Sequence, residues 1–340
     1  MDRFLGDSVA SPLIWVVTLV VTIGVLLIDL LVIARRPHEP TMKEVSRHLA
    51  FFVSLAVLFG LALWLFAEPH ALSPNPGAEF FAGWLTEYSL SVDNLFIFLI
   101  IMSKFQVPRQ YQQTALMIGI VIALVMRAIF IFVGAAAINE FSWVFYVFGL
   151  FLVYTAVKLA KEAGEEDEED FEENRLIRFV EKRFPATKEY DGTKLVTSAH
   201  GKRLITPMFL VVLTLGTTDL LFALDSIPAI YGLTRDPYLV FTANIFALMG
   251  LRQLYFLIGG LLERLIYLSY GLAVLLGFIG LKLVLHALHE NELPFINGGE
   301  PVHWAPDIPI WMSLVVIVGT LAVTTVVSLT VSRRRERAPR

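Results

Sequence analysis

Long apolar runs separated by short polar segments make up most of the chain. A helix needs about 20 mainly apolar residues to cross the hydrocarbon core of a bilayer. By that criterion the pattern predicts about nine transmembrane helices, at approximately residues 11–34, 48–67, 80–103, 114–138, 142–161, 207–230, 238–261, 266–288 and 308–332. The predicted fold is therefore an all-α, polytopic membrane protein.

The composition agrees with this fold class. Hydrophobic residues make up 56% of the 340 residues and charged residues 17%, proportions that soluble domains rarely have. The absence of cysteine excludes disulfides, thiolate metal sites and a cysteine nucleophile. The N-terminus lacks the cationic segment and cleavage site of a signal peptide, so we expect the first apolar run to be a retained span.

The basic residues are concentrated in alternate loops and thereby predict the orientation. The first and third loops and the C-terminal tail contain ten basic residues, at Arg35, Arg36, Lys43, Arg47, Lys104, Arg109 and four positions within 333–337. The alternate loops (68–79, 139–141, 232–237 and 289–307) contain a single basic residue, Arg235. The positive-inside rule then places the N-terminus outside and the C-terminus in the cytoplasm, with the lipid bilayer as the first partner.

On this topology the long segment 162–206 is a cytoplasmic loop. It begins with an acidic run at 165–173, which we interpret as a solvated spacer, and continues with mixed polar and apolar residues that could contact protein partners. Within it, residues 176–180 suggest a short amphipathic helix on the membrane surface.

Two pairs of carboxylates lie inside predicted spans. Glu87 is followed six residues later by Asp93 and Asn94, and Asp219 is followed six residues later by Asp225 and a second small polar residue, Ser226. Charged side chains at membrane depth are costly and normally face a cavity or a transport pathway. The repeated pattern therefore indicates a functional site.

Further landmarks recur in the same order. A step of seven residues separates Arg127 from Gly134 in the fourth span and Arg252 from Gly259 in the seventh. Three spans per copy is an odd number, so the second copy enters the membrane from the opposite side, which predicts two inverted three-helix repeats. The predicted division of the chain is 1–79 (two helices), 80–161 (first repeat), 162–206 (cytoplasmic loop), 207–288 (second repeat), 289–307 (extracytoplasmic loop) and 308–340 (last helix and basic tail).

The residue types predict a hard cation as the ligand. Carboxylate, amide and hydroxyl oxygens suit magnesium, calcium and manganese. The expected ligands are Glu87, Asp93, Asn94, Asp219, Asp225 and Ser226, and Arg127 and Arg252 are expected to balance charge. Four acids and two arginines leave two negative charges, which one divalent cation or two protons could neutralise. A structural ion pair between an acid and an arginine is the alternative interpretation.

The spacing of the acids raises a geometric question. Six residues of regular helix advance by about 9 Å and rotate by about 240°, so the two acids of a pair would not share one face. Either the helices break between the acids, or each pair serves two depths of one pathway. Pro228 favours a break in the sixth span because proline removes a backbone donor.

Other polar residues have ordinary interpretations. Asp29, near the cytoplasmic end of the first span, is expected to pair with a nearby arginine or to reach the membrane surface. His286, His289 and Glu290 could bind a metal outside, but we interpret them as solvated loop residues.

The two acidic segments resemble the signature segments of the TerC family. The similarity is carried by 89–96 and 222–230, by 251–257 and 270–274, and extends over about 10–332, with the Alx-type bacterial members as the best match. The resemblance implies a bacterial inner-membrane protein of the LysE-like transporter group that acts in manganese export and homeostasis, with Glu87, Asp93, Asp219 and Asp225 as its important acids. Some relatives are named for tellurite resistance. The chain departs from the family at Gly216, where members commonly carry another acid.

The leading expectation is a divalent-metal efflux carrier, with Mn²⁺ as substrate, proton exchange as the coupling, no bound cofactor, no enzymatic activity and no nucleic-acid partner. The alternative is a non-transporting membrane scaffold for stress response or membrane-protein biogenesis that acts through 162–206. An aspartyl protease is disfavoured because neither acid lies in a Gly-x-Gly-Asp segment. A Gly-Lys-Ser/Thr phosphate loop is also absent, which argues against ATP-driven pumping.

Overall fold

The computed structural model describes residues 8–35, 40–141, 143–163, 187, 189–199, 202–258, 267–306 and 308–337. These residues form nine α-helices: α1 Pro12–Arg35, α2 Met42–Phe66, α3 Pro76–Lys104, α4 Arg109–Glu140, α5 Val144–Glu162, α6 Pro207–Tyr231, α7 Pro237–Ile258, α8 Leu268–His289 and α9 Ile310–Arg337. In the described ranges, eight of them are long and apolar enough to cross a membrane. The predicted all-α membrane fold is confirmed. The domain boundaries remain a prediction.

The chain contains two units of three helices, α3–α5 and α6–α8. They pack against each other in the way that a two-fold relation between them requires. The first helix of each unit packs mainly against the second helix of the other, so that α3 contacts α7 and α6 contacts α4. The third helices, α5 and α8, pack most extensively against each other. This is the arrangement expected for inverted repeats, in which the sites lie between the units.

The α5–α8 contact brings two backbones together at Gly149 and Gly280. A Cβ built on either glycine would lie 2.8 Å from the carbonyl oxygen of the other, which is closer than real Cβ atoms approach. Small residues allow membrane helices to approach in this way. Neither position therefore tolerates a side chain without separating the helices.

One helix forms the centre of the bundle. Every residue of the segment 236–255, which includes most of α7, is buried. By contrast, α2 and α9 carry exposed large apolar side chains such as Leu58, Leu65, Val315 and Val326, as expected of helices that face lipid. Polar residues of α7 must therefore find partners inside the protein.

The expected break in the sixth span is wrong. Helix α6 is continuous from Pro207 to Tyr231 through Pro228, and α3 is continuous between Glu87 and Asp93. Pro228 lies in the last turn of α6, where it removes one donor without interrupting a long remaining ladder, and residues 226–231 are all buried by neighbouring helices. Asp219 and Asp225 on α6 therefore face different directions, as regular helical geometry requires.

The segment 162–206 ends in a β-hairpin that the sequence did not predict. Strand β1, Val196–Ala199, pairs antiparallel with β2, Lys202–Ile205. The hairpin is anchored to the helices because the Tyr190 hydroxyl donates to the carbonyl oxygen of Phe105 over 2.7 Å, at the end of α3. Partial burial of Tyr190 raises the pKa of its hydroxyl to about 12. The acidic run and the expected helix at 176–180 lie outside the described residues.

Candidate cation site within the membrane

Arg127, on α4, is the centre of a buried polar network. Its side chain is 1% exposed, and its guanidinium binds Asp219 through two parallel bonds, Nε to Oδ2 at 2.9 Å and Nη2 to Oδ1 at 3.1 Å. Its Nη1 donates to Glu87 Oε1 and, at 2.9 Å, to Asn244 Oδ1. The two parallel bonds fix the relative orientation of the Arg127 guanidinium and the Asp219 carboxylate.

The network joins helices of both repeats. Glu87 and Arg127 belong to α3 and α4, whereas Asp219 and Asn244 belong to α6 and α7. Ser226, one residue beyond Asp225 on α6, also accepts from Arg127 Nη1 at 3.3 Å. Buried charges are tolerated only when paired, so this arginine binds four helices together at the interface between the repeats.

The pairing leaves negative charge in the site. Two carboxylates and one guanidinium carry a formal net charge of −1. In the described part of the chain, Glu87 Oε2 and Asn244 Nδ2 are buried and have no hydrogen-bond partner. Such groups are unfavourable as they stand. Glu87 Oε2 could bind a cation or a proton, whereas Asn244 Nδ2 is a donor and requires a hydrogen-bond acceptor.

The remaining predicted ligands lie elsewhere or are not described. Asp225 is half-buried and faces α5, where its Oδ1 accepts from Thr155 Oγ1 at 3.1 Å, within electrostatic reach of Lys158. Asn94 is half-buried on α3. The side chain of Asp93 and that of Asp29 lie outside the described part of the structure. Arg252 is buried on α7.

The structure thus brings Glu87, Asp219 and Ser226 together on Arg127, and separates Asp225 from Arg127 by turning it toward α5. No group of three or more His, Asp or Glu side chains close enough to hold a metal occurs among the described residues. The assignment of all six residues as ligands of one ion remains a prediction.

Two polar partners were not predicted from the sequence. Asn244 is an amide in the middle of an apolar span, and that position was a signal that could have identified it. Thr155 gave no such signal, because threonine in a membrane helix usually bonds to its own backbone. Thr217 and Thr242 do so here.

Comparison with known proteins assigns the chain to a family. The model of the integral membrane protein TerC family matches residues 72–336. The chain belongs to the TerC family. This confirms the resemblance seen in the two acidic segments.

Relatives extend the similarity over nearly the whole TerC-family chain. The uncharacterized membrane protein Rv2723 of Mycobacterium tuberculosis is 48% identical over 96% of this chain and 81% of its own length. The membrane protein STKORF319 of Myxococcus xanthus is 40% identical over 98% and 96%. Alx of Escherichia coli K12, named as a candidate membrane-bound redox modulator, is 36% identical over 97% and 98%. No solved structure matches the chain.

Gly216, where the resemblance implied that other members carry an acid, lies at a close contact between helices. Gly216 lies on α6 against α4, and a Cβ at this position would lie 3.1 Å from Ile122 Cγ2. A longer acidic side chain would therefore require α4 and α6 to adjust. This chain has instead a close contact between these helices, one turn from Asp219.

The extracytoplasmic end predicted by the topology carries a separate ion pair. Arg235 donates to Glu290 and to His286 Nε2, and its guanidinium lies 4.7 Å from the centre of the Phe145 ring. Burial alone would raise the pKa of Glu290, but the bond and charge of Arg235, with the two nearby histidines, lower it below its ordinary value. The guanidinium occupies the position that a metal bound by His286 and Glu290 would need.

Proposed function

We propose that this TerC-family protein is a divalent-metal efflux carrier that exports Mn²⁺ across the bacterial cytoplasmic membrane. Its N-terminus lies outside and its basic C-terminus in the cytoplasm. The observation that carries the proposal is the meeting of Glu87 and Asp219, one from each repeat, on Arg127 at the interface between the units. Carriers built from inverted repeats place their substrate sites at this interface.

The charge of the site supports a cationic substrate. Arg127 neutralises one of the two carboxylates, and Asp225 is a third, half-buried acid on the same helix as Asp219 that faces α5, outside the Arg127 network. Oxygen ligands of this kind favour hard divalent cations. The same carboxylates can bind protons when the metal leaves, and this competition would couple export to proton uptake.

The name of the relative Alx points to redox modulation, and this chain limits how such an effect could arise. The sequence contains no cysteine, so thiol–disulfide exchange on its own side chains is not available. A carrier without enzymatic activity, cofactor or nucleic-acid partner accounts for the buried acids. A non-transporting scaffold would act instead through the loop 162–206, whose described part includes the hairpin anchored at Phe105.

The test is Mn²⁺ uptake into inside-out vesicles. We expect uptake by the wild type, and at least a tenfold loss in Asp93→Asn and Asp225→Asn at equal expression. Glu300→Gln, which removes an exposed acid of the extracytoplasmic loop, is the control and should transport normally. Deletion of the loop 162–206 addresses the alternative: the scaffold interpretation requires that this deletion abolish function in cells while Asp93→Asn and Asp225→Asn do not. Uptake that survives both aspartate substitutions contradicts the carrier.

A further inference from the structure

A second pair of carboxylates lies at the opposite end of the bundle from the basic loops. Glu79 is in the first turn of α3, and Asp236 immediately precedes α7; they are 3% and 0% exposed, respectively. The two acids are close enough to interact electrostatically. Neither contributes to the Arg127 network, and the proposed transport pathway does not use them.

Three of the four carboxylate oxygens have partners in the folded chain. Glu79 Oε1 accepts from the Asn75 backbone N–H at 3.1 Å. Asp236 Oδ1 accepts from the Tyr238 N–H at 2.8 Å and from the Ser8 hydroxyl at 2.9 Å, and Oδ2 accepts from the Val9 N–H at 2.6 Å. These bonds cap two helices and fasten the N-terminal segment over Asp236.

The fourth oxygen has no such role. Glu79 Oε2 and Ser73 Oγ are both fully buried, and neither has a hydrogen-bond partner in the described part of the chain. Yet the hydroxyls of Ser73 and Thr234 both face the Glu79 carboxylate. The side-chain oxygens of Ser73 and Thr234 therefore lie near the Glu79 carboxylate but do not form hydrogen bonds of ordinary length and angle with it.

No cationic side chain balances the charge of this pair in the part of the chain that the structure describes. Among the described residues, neither Glu79 nor Asp236 forms an ion pair with a lysine, arginine or histidine. Two adjacent buried carboxylates cannot both stay ionised cheaply, so they require a proton or a cation. A proton on Oε2 is the alternative to a cation, and the Ser73 and Thr234 hydroxyls that face the carboxylate would be its acceptors.

We propose that Glu79, Asp236, Ser73 and Thr234 form a second cation-binding site, which takes a hard divalent cation such as Mn²⁺ or Ca²⁺. A bound ion would lie at about 2.0–2.6 Å from each oxygen and would supply the partner that Glu79 Oε2 lacks among the described residues. The donor set is all oxygen, with two carboxylates to balance the charge of the ion. The segment that begins at Ser8 covers the site. This inference goes beyond the proposed function, because it requires binding and not transport.

The experiment measures Mn²⁺ binding to the full-length protein in nanodiscs, by electron paramagnetic resonance of free Mn²⁺ and by the shift in thermal unfolding. Asp225→Asn serves as the background, so that any ion bound at the central site is weakened. In that background we expect Mn²⁺ to bind and to raise the unfolding temperature. Adding Glu79→Gln should weaken this binding at least tenfold.

Ser73→Ala keeps both helix caps and should weaken binding several-fold, which covers the case in which an acid variant folds poorly. Glu300→Gln is the matched control and should bind as the background does. Binding that is unchanged in both Glu79→Gln and Ser73→Ala overturns the proposal. So does a wild type in which Mn²⁺ and Ca²⁺ have no effect while one proton is taken up at this pair. Failure of vesicle transport with intact binding here would count against the carrier alone.

Discussion

The two buried acid pairs differ in how their negative charge is compensated. Glu87 and Asp219 lie on a guanidinium that belongs to the protein, whereas Glu79 and Asp236 are held by backbone N–H groups and hydroxyls, with no cationic side chain among the described residues. Both pairs join the first repeat to the second. In one pair the charge is balanced by a fixed counter-ion, whereas the other pair, on our proposal, depends on an exchangeable ion.

Removal of the fixed counter-ion should have the largest effect. Arg127→Met leaves Glu87 and Asp219 buried and uncompensated, and breaking a buried pair in this way costs about 3–5 kcal/mol. We expect loss of monodisperse protein in size-exclusion chromatography and a strong decrease in the free energy of unfolding. The triple variant Arg127→Met, Glu87→Gln, Asp219→Asn removes the charges together and should regain much of that loss. Failure of this recovery would show that Arg127 does not act through the two acids.

Neutralising the acids one at a time should separate their contributions. Asp219 receives two guanidinium bonds and Glu87 receives one, so Asp219→Asn should destabilise more than Glu87→Gln, within the range of about 1.5–3 kcal/mol for hydrogen bonds to charged groups. Unfolding in mixed detergent micelles would measure both. Equal losses would contradict a bonding pattern dominated by Asp219.

Neutralising one acid of the Glu79–Asp236 pair should change stability in the opposite direction. Without divalent cations, Glu79→Gln removes one of two like charges and should stabilise the protein by on the order of 1 kcal/mol, the scale of like-charge repulsion over several ångströms at an effective dielectric constant of about 20. The amide oxygen can still accept from Asn75. Thermal unfolding in a chelating buffer measures this change, and a destabilised variant would contradict the repulsion on which the comparison rests.

The smallest expected effect concerns Glu290, which forms an ion pair with Arg235. Because its pKa in the folded protein lies below the ordinary value of 4.5, its ionised form stabilises the fold above that pH. This contribution is lost as the pH falls through the lowered pKa. Wild type should therefore lose more stability than Glu290→Gln between pH 6 and pH 3.5. Parallel unfolding curves for the two proteins would argue against the Arg235 pair.

The sequence was sufficient to predict the membrane fold, because long apolar runs have few alternatives in a bilayer. The matched segments around Glu87 and Asp219 also predicted that intramembrane carboxylates meet at the interface between the repeats. Arg127, which had been expected only to balance charge, contacts both of them.

The sequence did not show which way each acid faces or how neighbouring helices hold it. The rotation between Asp219 and Asp225 follows from a regular helix, but which of the two faces α4 depends on packing that no local pattern encodes. Pro228 suggested a break because its local preference is clear, yet the surrounding helices hold the last turn of α6 in place. The hairpin was overlooked because its strands are only four residues each.

The contact between Gly149 and Gly280 constrains how a carrier of this shape can move. Two helices that touch backbone to backbone have no side chains there that could repack, so sliding of one past the other would separate them. Rotation about the contact preserves it. In the carrier that we propose, the α5–α8 crossing would be the pivot, and a rocking motion about it would open and close the four-helix region around Arg127.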